Sequence, residues 1–265
     1  MGRGEEKKKG IRWRLWLNLA LACLALGILY YTGRTVRHFV VTDSRFTLAS
    51  ADDRTDGLSM EGLVHASRAR ILTTFTPDFG RSVFLMPIAE RRRRLLAVDW
   101  VEDAAIARLW PNRVAVRIKE RRPVAFVNLT IPGRTGSRVL LIDGEGVLLE
   151  QPAQSHFTFP VLRGISEEQG EAERRDRVQA FLRLMNALGP MGKDISEVNA
   201  VSSENLTIVL QIEDRAVELV VGNRRFLRRV QGFVDHYPEI RRRSGGVRAF
   251  DLRLDDRITA GSVEQ

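Results

Sequence analysis

Cysteine is nearly missing from this 265-residue chain, whose one thiol, Cys23, lies inside an apolar run. A single thiol closes no internal disulfide, so any exported part must be held by packing alone. The apolar run continues beyond Cys23 to Tyr31, which argues for a small lipid-facing residue and against a lipoprotein cleavage site. Lysine is also scarce, at 5 of 42 basic residues. Such an arginine-heavy balance reflects base bias more than contact with nucleic acid, and no nucleic acid is expected. The four histidines, His38, His65, His156 and His236, include no pair at i, i+4, and no second cysteine could help them hold zinc. Gly-x-Ser-x-Gly, a phosphate-cradling glycine loop and Ser-x-x-Lys are absent as well. No catalytic residue, metal, cofactor or small-molecule substrate is therefore expected. Asp251, Asp255 and Asp256 could in principle work as an acid–base pair, but they read as the wet side of a strand.

The charge present is unevenly placed. Residues 1–14 hold six Lys/Arg against Glu5 and Glu6, whereas Leu15 to Tyr31 carries no charge at all. Seventeen residues at about 1.5 Å each span about 25 Å, and counting from Ile11 brings this to about 31 Å, enough to cross a bilayer core. Trp13 and Trp16 at one end, with Tyr30 and Tyr31 at the other, match interfacial aromatic belts. A cleaved signal peptide would have a shorter run ending in small residues, so an uncleaved transmembrane helix over 15–31 is expected. The excess of basic residues ahead of it predicts a cytoplasmic tail (1–14) and an exported remainder.

Past the helix, residues 39–48 read as a strand turning at Asp43-Ser44, and Ser59 as the cap of a helix striped by Leu63, Ala66, Ile71 and Leu72. Thr76-Pro77-Asp78 breaks that helix, and Pro87 suits the start of a second one carrying Ile88, Leu95 and Leu96 inward. Arg91 to Arg94 on it read as a solvated face, with contact to acidic lipid heads as the rival. Val114, Val116 and Ile118 alternate with Ala115, Arg117 and Lys119, a half-buried strand after the Trp110-Pro111-Asn112 turn. The order is strand–helix–helix–strand–strand, a small α+β module.

From Val101 to Phe126 the residues resemble a known pattern. Val101, Ala104, Ala105, Arg108, Pro111, Glu120, Arg121, Pro123, Val124 and Ala125 occupy the positions that close the POTRA domain in the bacterial cell-division family FtsQ/DivIB. The likeness continues in Asp143-Gly144-Glu145-Gly146 between two strands, in Pro160 to Gly164, and in the closing Asp251-Leu252-Arg253-Leu254, where many members have Tyr in place of Leu254. The resemblance implies a POTRA module over 36–122 and an FtsQ-type β domain over 123–260, followed by a flexible tail, 261–265.

Within that second domain, Val178, Phe181, Leu182, Met185 and Leu188 form one face of a helix that stops at Gly189-Pro190. Residues 195–201, 206–212 and 217–221 read as a meander. Asn223 is expected to cap a second helix bearing Phe226, Leu227, Val230, Phe233, Val234 and Tyr237 on one face. The fold class expected is α+β, with helices on one face of a mainly antiparallel sheet. Residues 247–258 read as one last alternating strand.

The function implied by the resemblance is that of a divisome scaffold in the inner membrane at the septum. Its implied partners are FtsB and FtsL, and through them the septal peptidoglycan synthase FtsW–FtsI. We expect capture by strand addition to a C-terminal edge, through Phe250, Leu252, Arg253, Leu254, Asp255, Arg257 and Ile258. The rival is a POTRA-containing outer-membrane assembly or secretion component, disfavoured by the single POTRA copy.

Overall fold

The apolar run lies within one uninterrupted helix, α1 (Glu5–Thr42), of 38 residues. The computed structural model describes residues 5–49, 57–130, 136–153, 155–254 and 257–261. The stretch Trp16–Thr42 is long and apolar enough to cross a membrane, with a mean hydropathy of 1.5. At about 1.5 Å per residue the whole helix is about 57 Å long, so it extends past a ~30 Å hydrocarbon core. The strand expected over 39–48 is not formed. Phe39 to Thr42 remain helical, and the Phe39 ring meets Phe46 edge-on at 5.8 Å, a tertiary contact that outweighs the β preference of Val40-Val41. Asp43 ends the helix and accepts from the Arg45 backbone N–H at 2.9 Å, starting a single 3-10 turn, Ser44–Phe46.

The chain divides into two units, residues 1–63, 67–98 and 102–119, and residues 64–66, 99–101 and 120–265. In the first, β1 (Leu58–Glu61) lies beside β3 (Arg113–Glu120), and β3 beside β2 (Val101–Leu109). β1 runs parallel to β3, Leu58 opposite Val114 and Met60 opposite Val116. Ser59 is therefore a strand residue and not a helix cap. The cap is Ser67, whose hydroxyl accepts from the Arg70 backbone N–H at the start of α2 (Arg68–Phe75). The second helix, α3 (Ile88–Leu96), begins after Pro87 as expected. Ile71, Phe75, Leu95, Val114, Val116 and Ile118 are buried in this unit.

The four-arginine run on α3 is not uniformly solvated. Arg91 stands one turn before buried Leu95 and shares its face, so it is only 5% exposed. Its guanidinium forks onto the Asp78 carboxylate at 2.6 and 3.1 Å, with Glu90 at 3.5 Å. Arg92, Arg93 and Arg94 are exposed, Arg92 reaching the Ala104 carbonyl and Asp103, and Arg94 pairing with Glu90.

Among the described residues the second unit is built on nine strands: β4 (Pro123–Thr130), β5 (Ser137–Asp143), β6 (Leu148–Leu149), β7 (Val161–Arg163), β8 (Ile195–Asn199), β9 (Leu206–Ile212), β10 (Arg215–Gly222), β11 (Ala249–Asp251) and β12 (Thr259–Ala260). Their order in the sheet is β12-β11-β10-β9-β8-β7-β4-β5-β6. Pairs β4/β5, β5/β6, β8/β9, β9/β10 and β11/β12 are antiparallel, whereas β4/β7, β7/β8 and β10/β11 are parallel. The helices α4 (Glu171–Leu188) and α5 (Phe226–Ser244) turn Val178, Phe181, Leu184, Leu188, Val230 and Phe233 into one core with the inward residues of the strands. α4 stops at Gly189, as its sequence predicts. At the start of α5 the expected cap fails. Arg225, in a left-handed conformation, takes the cap position but does not cap the helix with its side chain, and Asn223 instead donates to Glu204.

Candidate partner-binding edge

The C-terminal segment is not one strand from 247 to 258. β11 covers three residues and is flanked on both sides, by β10 in parallel and by β12 folded back antiparallel. Between them the chain turns sharply. Asp251 accepts from the Arg253 backbone N–H at 2.9 Å, and the Arg253 guanidinium grips the same carboxylate, Nη2 at 2.6 Å. That grip, more than the partial burial opposing it, holds the Asp251 carboxyl below its ordinary range. Arg229, reaching from α5 with 9% exposure, donates to the Val221 carbonyl at 2.7 Å and to the Arg253 carbonyl at 2.6 Å. Strand β11 is thus locked to β10 and α5 before the chain reaches its last strand.

This geometry sorts the residues expected to meet a partner. Phe250 and Leu252 are 3% and 2% exposed, and the Phe250 ring packs 5.1 Å from Phe233. Both face the core, and side-chain contact through them would require the sheet to open. Arg253 is exposed but already engaged by Asp251 and by the Asn205 side-chain carbonyl at 3.3 Å. Leu254, Arg257 and Ile258 are exposed, and they face α5 across a groove whose far wall includes Phe233, His236 and Ile240. Arg228 and Arg243 lie along the same groove, giving an apolar floor with a basic margin. Asp255 lies outside the described residues.

The edge itself belongs to Thr259 and Ala260, which the sequence reading did not single out. Thr259 lies opposite Asp251 and Ala260 opposite Phe250, while the Gly261 N–H donates to the Ala249 carbonyl at 2.9 Å. Alternation along a strand then turns the N–H and C=O of Ala260 away from β11, free to pair with another chain. The signal for this lay in register, which the hydrophobic pattern of 247–258 does not carry.

Elsewhere the chemistry is structural. Among the described residues no three His, Cys, Asp or Glu side chains gather to hold a metal. His65 packs at a tilt against Trp100, 4.9 Å away, and Phe157, 5.3 Å away, with its Nδ1 3.1 Å from the Ser155 hydroxyl. Asp251 is engaged by Arg253, and Asp255 and Asp256 lie outside the described residues.

Comparison with known proteins identifies the family. Residues 57–121 match the family profile "POTRA domain, FtsQ-type", and residues 134–253 match "Cell division protein FtsQ/DivIB, C-terminal". The chain is 31% identical over 247 residues to the cell division protein FtsQ of Koribacter versatilis, covering 90% of this chain and 68% of that one. It is 24% identical to the FtsQ of Myxococcus fulvus over 98% of this chain and 87% of the relative. With the FtsQ of Agrobacterium fabrum it shares 25% identity over 82% of its length and 64% of the relative's.

Proposed function

Because the chain belongs to the FtsQ/DivIB family of bacterial cell-division proteins, we propose that it is a non-catalytic scaffold of the division septum that holds other division proteins by strand addition. The observation that carries this reading is the two-residue edge strand β12, with outward-turned backbone at Ala260 and a basic-rimmed apolar groove beside it. An extended partner segment gains backbone hydrogen bonds along such an edge, and side chains alternating into the groove select the sequence. In this reading α1 anchors the protein in the inner membrane with the basic tail in the cytoplasm and both folded units in the periplasm. The partners are FtsB and FtsL, which link the edge to FtsW–FtsI and septal peptidoglycan synthesis.

A fluorescent fusion in the native host tests the reading. We expect a mid-cell band in dividing cells, and filaments when the protein is depleted. Uniform envelope fluorescence with normal division on depletion would exclude it.

A further inference from the structure

Where α1 ends, the first unit gathers large apolar side chains on its outside. Phe46 is the hub, 4% exposed, with Phe39 at 5.8 Å, Phe84 at 5.7 Å and Trp110 at 5.6 Å between ring centroids. The residues around the hub are open: Phe39 is 47% exposed, Phe84 40%, Leu85 51% and Trp110 71%. This exposure is built in. The Ser82 hydroxyl donates to the Val40 carbonyl at 2.9 Å, tying the 3-10 turn Val83–Leu85 to the end of α1. Arg108 donates to the carbonyls of Val83 at 2.8 Å and Met86 at 2.7 Å, so the backbone of the turn is satisfied inward while Phe84 and Leu85 stay outside. A fixed, contiguous apolar patch of this kind marks a contact surface.

Its height along α1 identifies what it touches. Leu85 lines one recess with Leu29, Tyr30, Gly33 and Arg37 of α1, so the turn lies beside the outer end of the apolar stretch. Counted from the interfacial Trp13, a ~30 Å hydrocarbon core of about 20 residues ends near residue 32, just past the Tyr30–Tyr31 belt, and the headgroup layer covers roughly the next five or six. Phe39 and Leu85 then fall at the level where amphipathic and aromatic side chains are favoured in a bilayer. Arg34 and Arg37, exposed on α1 at the same level, are placed to meet lipid phosphates. Arg45 lies over the Phe39 ring at 5.4 Å, but Asp43 already answers its charge at 2.9 Å.

We propose that Phe39, Phe84, Leu85 and Trp110 form a foot that inserts into the headgroup layer of the bilayer that α1 spans, with Arg34 and Arg37 binding its phosphates. The foot fixes the tilt of the POTRA module over the membrane. It rests on α1 being a membrane span, and the test separates the two.

The full chain, with Cys23→Ser, is reconstituted in nanodiscs of phosphatidylethanolamine and phosphatidylglycerol. A polarity-sensitive dye is attached through Leu85→Cys in one sample and Leu24→Cys in another; both side chains are exposed, so labelling leaves the fold intact. The expected result is blue-shifted emission at position 85, quenched more by nitroxide placed shallow in the lipid than deep, with the reverse order at position 24. Water-like emission at 85 beside deep quenching at 24 overturns the foot and leaves the span standing. Blue-shifted emission at 85 that no lipid nitroxide quenches also overturns it, because a protein then covers the patch. Absence of quenching at both positions overturns the span and the foot together.

Discussion

At the scale of single residues, the ion pair of Arg91 and Asp78 makes the sharpest prediction. Both side chains are almost sealed from water, so removing one leaves the other charged, buried and unpaired. Arg91→Met should cost about 3–5 kcal/mol, and pairing it with Asp78→Leu should recover most of that loss. Chemical denaturation of the detergent-solubilised chain measures both. The residues that carry the family likeness also turn out to act within the fold. Glu120 accepts from the backbone N–H groups of Val64, His65 and Ala66 at 2.8–3.0 Å. Arg121 pairs with Asp143 at 2.8 Å, and Asp143 in turn accepts from the N–H groups of Glu145 and Val147. Gly164, at φ +90, closes the Pro160–Gly164 motif where an added Cβ would lie 2.6 Å from the Val201 nitrogen. A motif visible in sequence marked the places where the backbone needs one residue type.

At the scale of elements, the test falls on β12. Ala260→Pro removes an outward-facing donor without touching the inward bond from Gly261, and so should weaken strand addition by about 1 kcal/mol, or roughly fivefold to tenfold in affinity. Capture of FtsB by the solubilised chain measures this; an unchanged affinity would mean that partners do not use this edge. The turn before β12 has its own pH dependence. Asp251 has a depressed folded-state pKa, so its contribution is complete above the unfolded value of about 3.9 and is lost as pH falls through the lower folded value. Protection of the amides at 249–254 and 259–261, after correction for intrinsic exchange at each pH, should therefore be high at neutral pH and fall below about pH 4. Asp251→Asn should show quickened exchange already at neutral pH. The periodic elements were legible beforehand: α4 with its glycine stop, the alternation of β3, and the strands β8 to β10. Elements whose boundaries depend on tertiary contact were not. Phe39 to Thr42 follow α1 because Phe46 receives them, and 247–258 breaks because Asp251 and Arg253 close a turn that hydrophobic alternation cannot reveal.

At the scale of the whole molecule, the α+β class and the long apolar helix near the N-terminus followed from the residues, and the succession of POTRA module and β domain from the family resemblance. The sheet order did not. β8, β9 and β10 form the expected antiparallel meander, but β7 lies between β4 and β8, and β11 runs parallel beside β10 after the whole length of α5. Such non-local pairings repay their loop-closure cost only once the rest of the core is assembled, so local sequence carries little trace of them.

The position of β12 has a temporal meaning. It comes after every other strand of its sheet in chain order, and it has a surface to lie on only when β10, α5 and β11 have already come together. The exposed edge consequently exists only in molecules whose sheet is already complete, and any segment that pairs with it would read out finished folding as well as sequence.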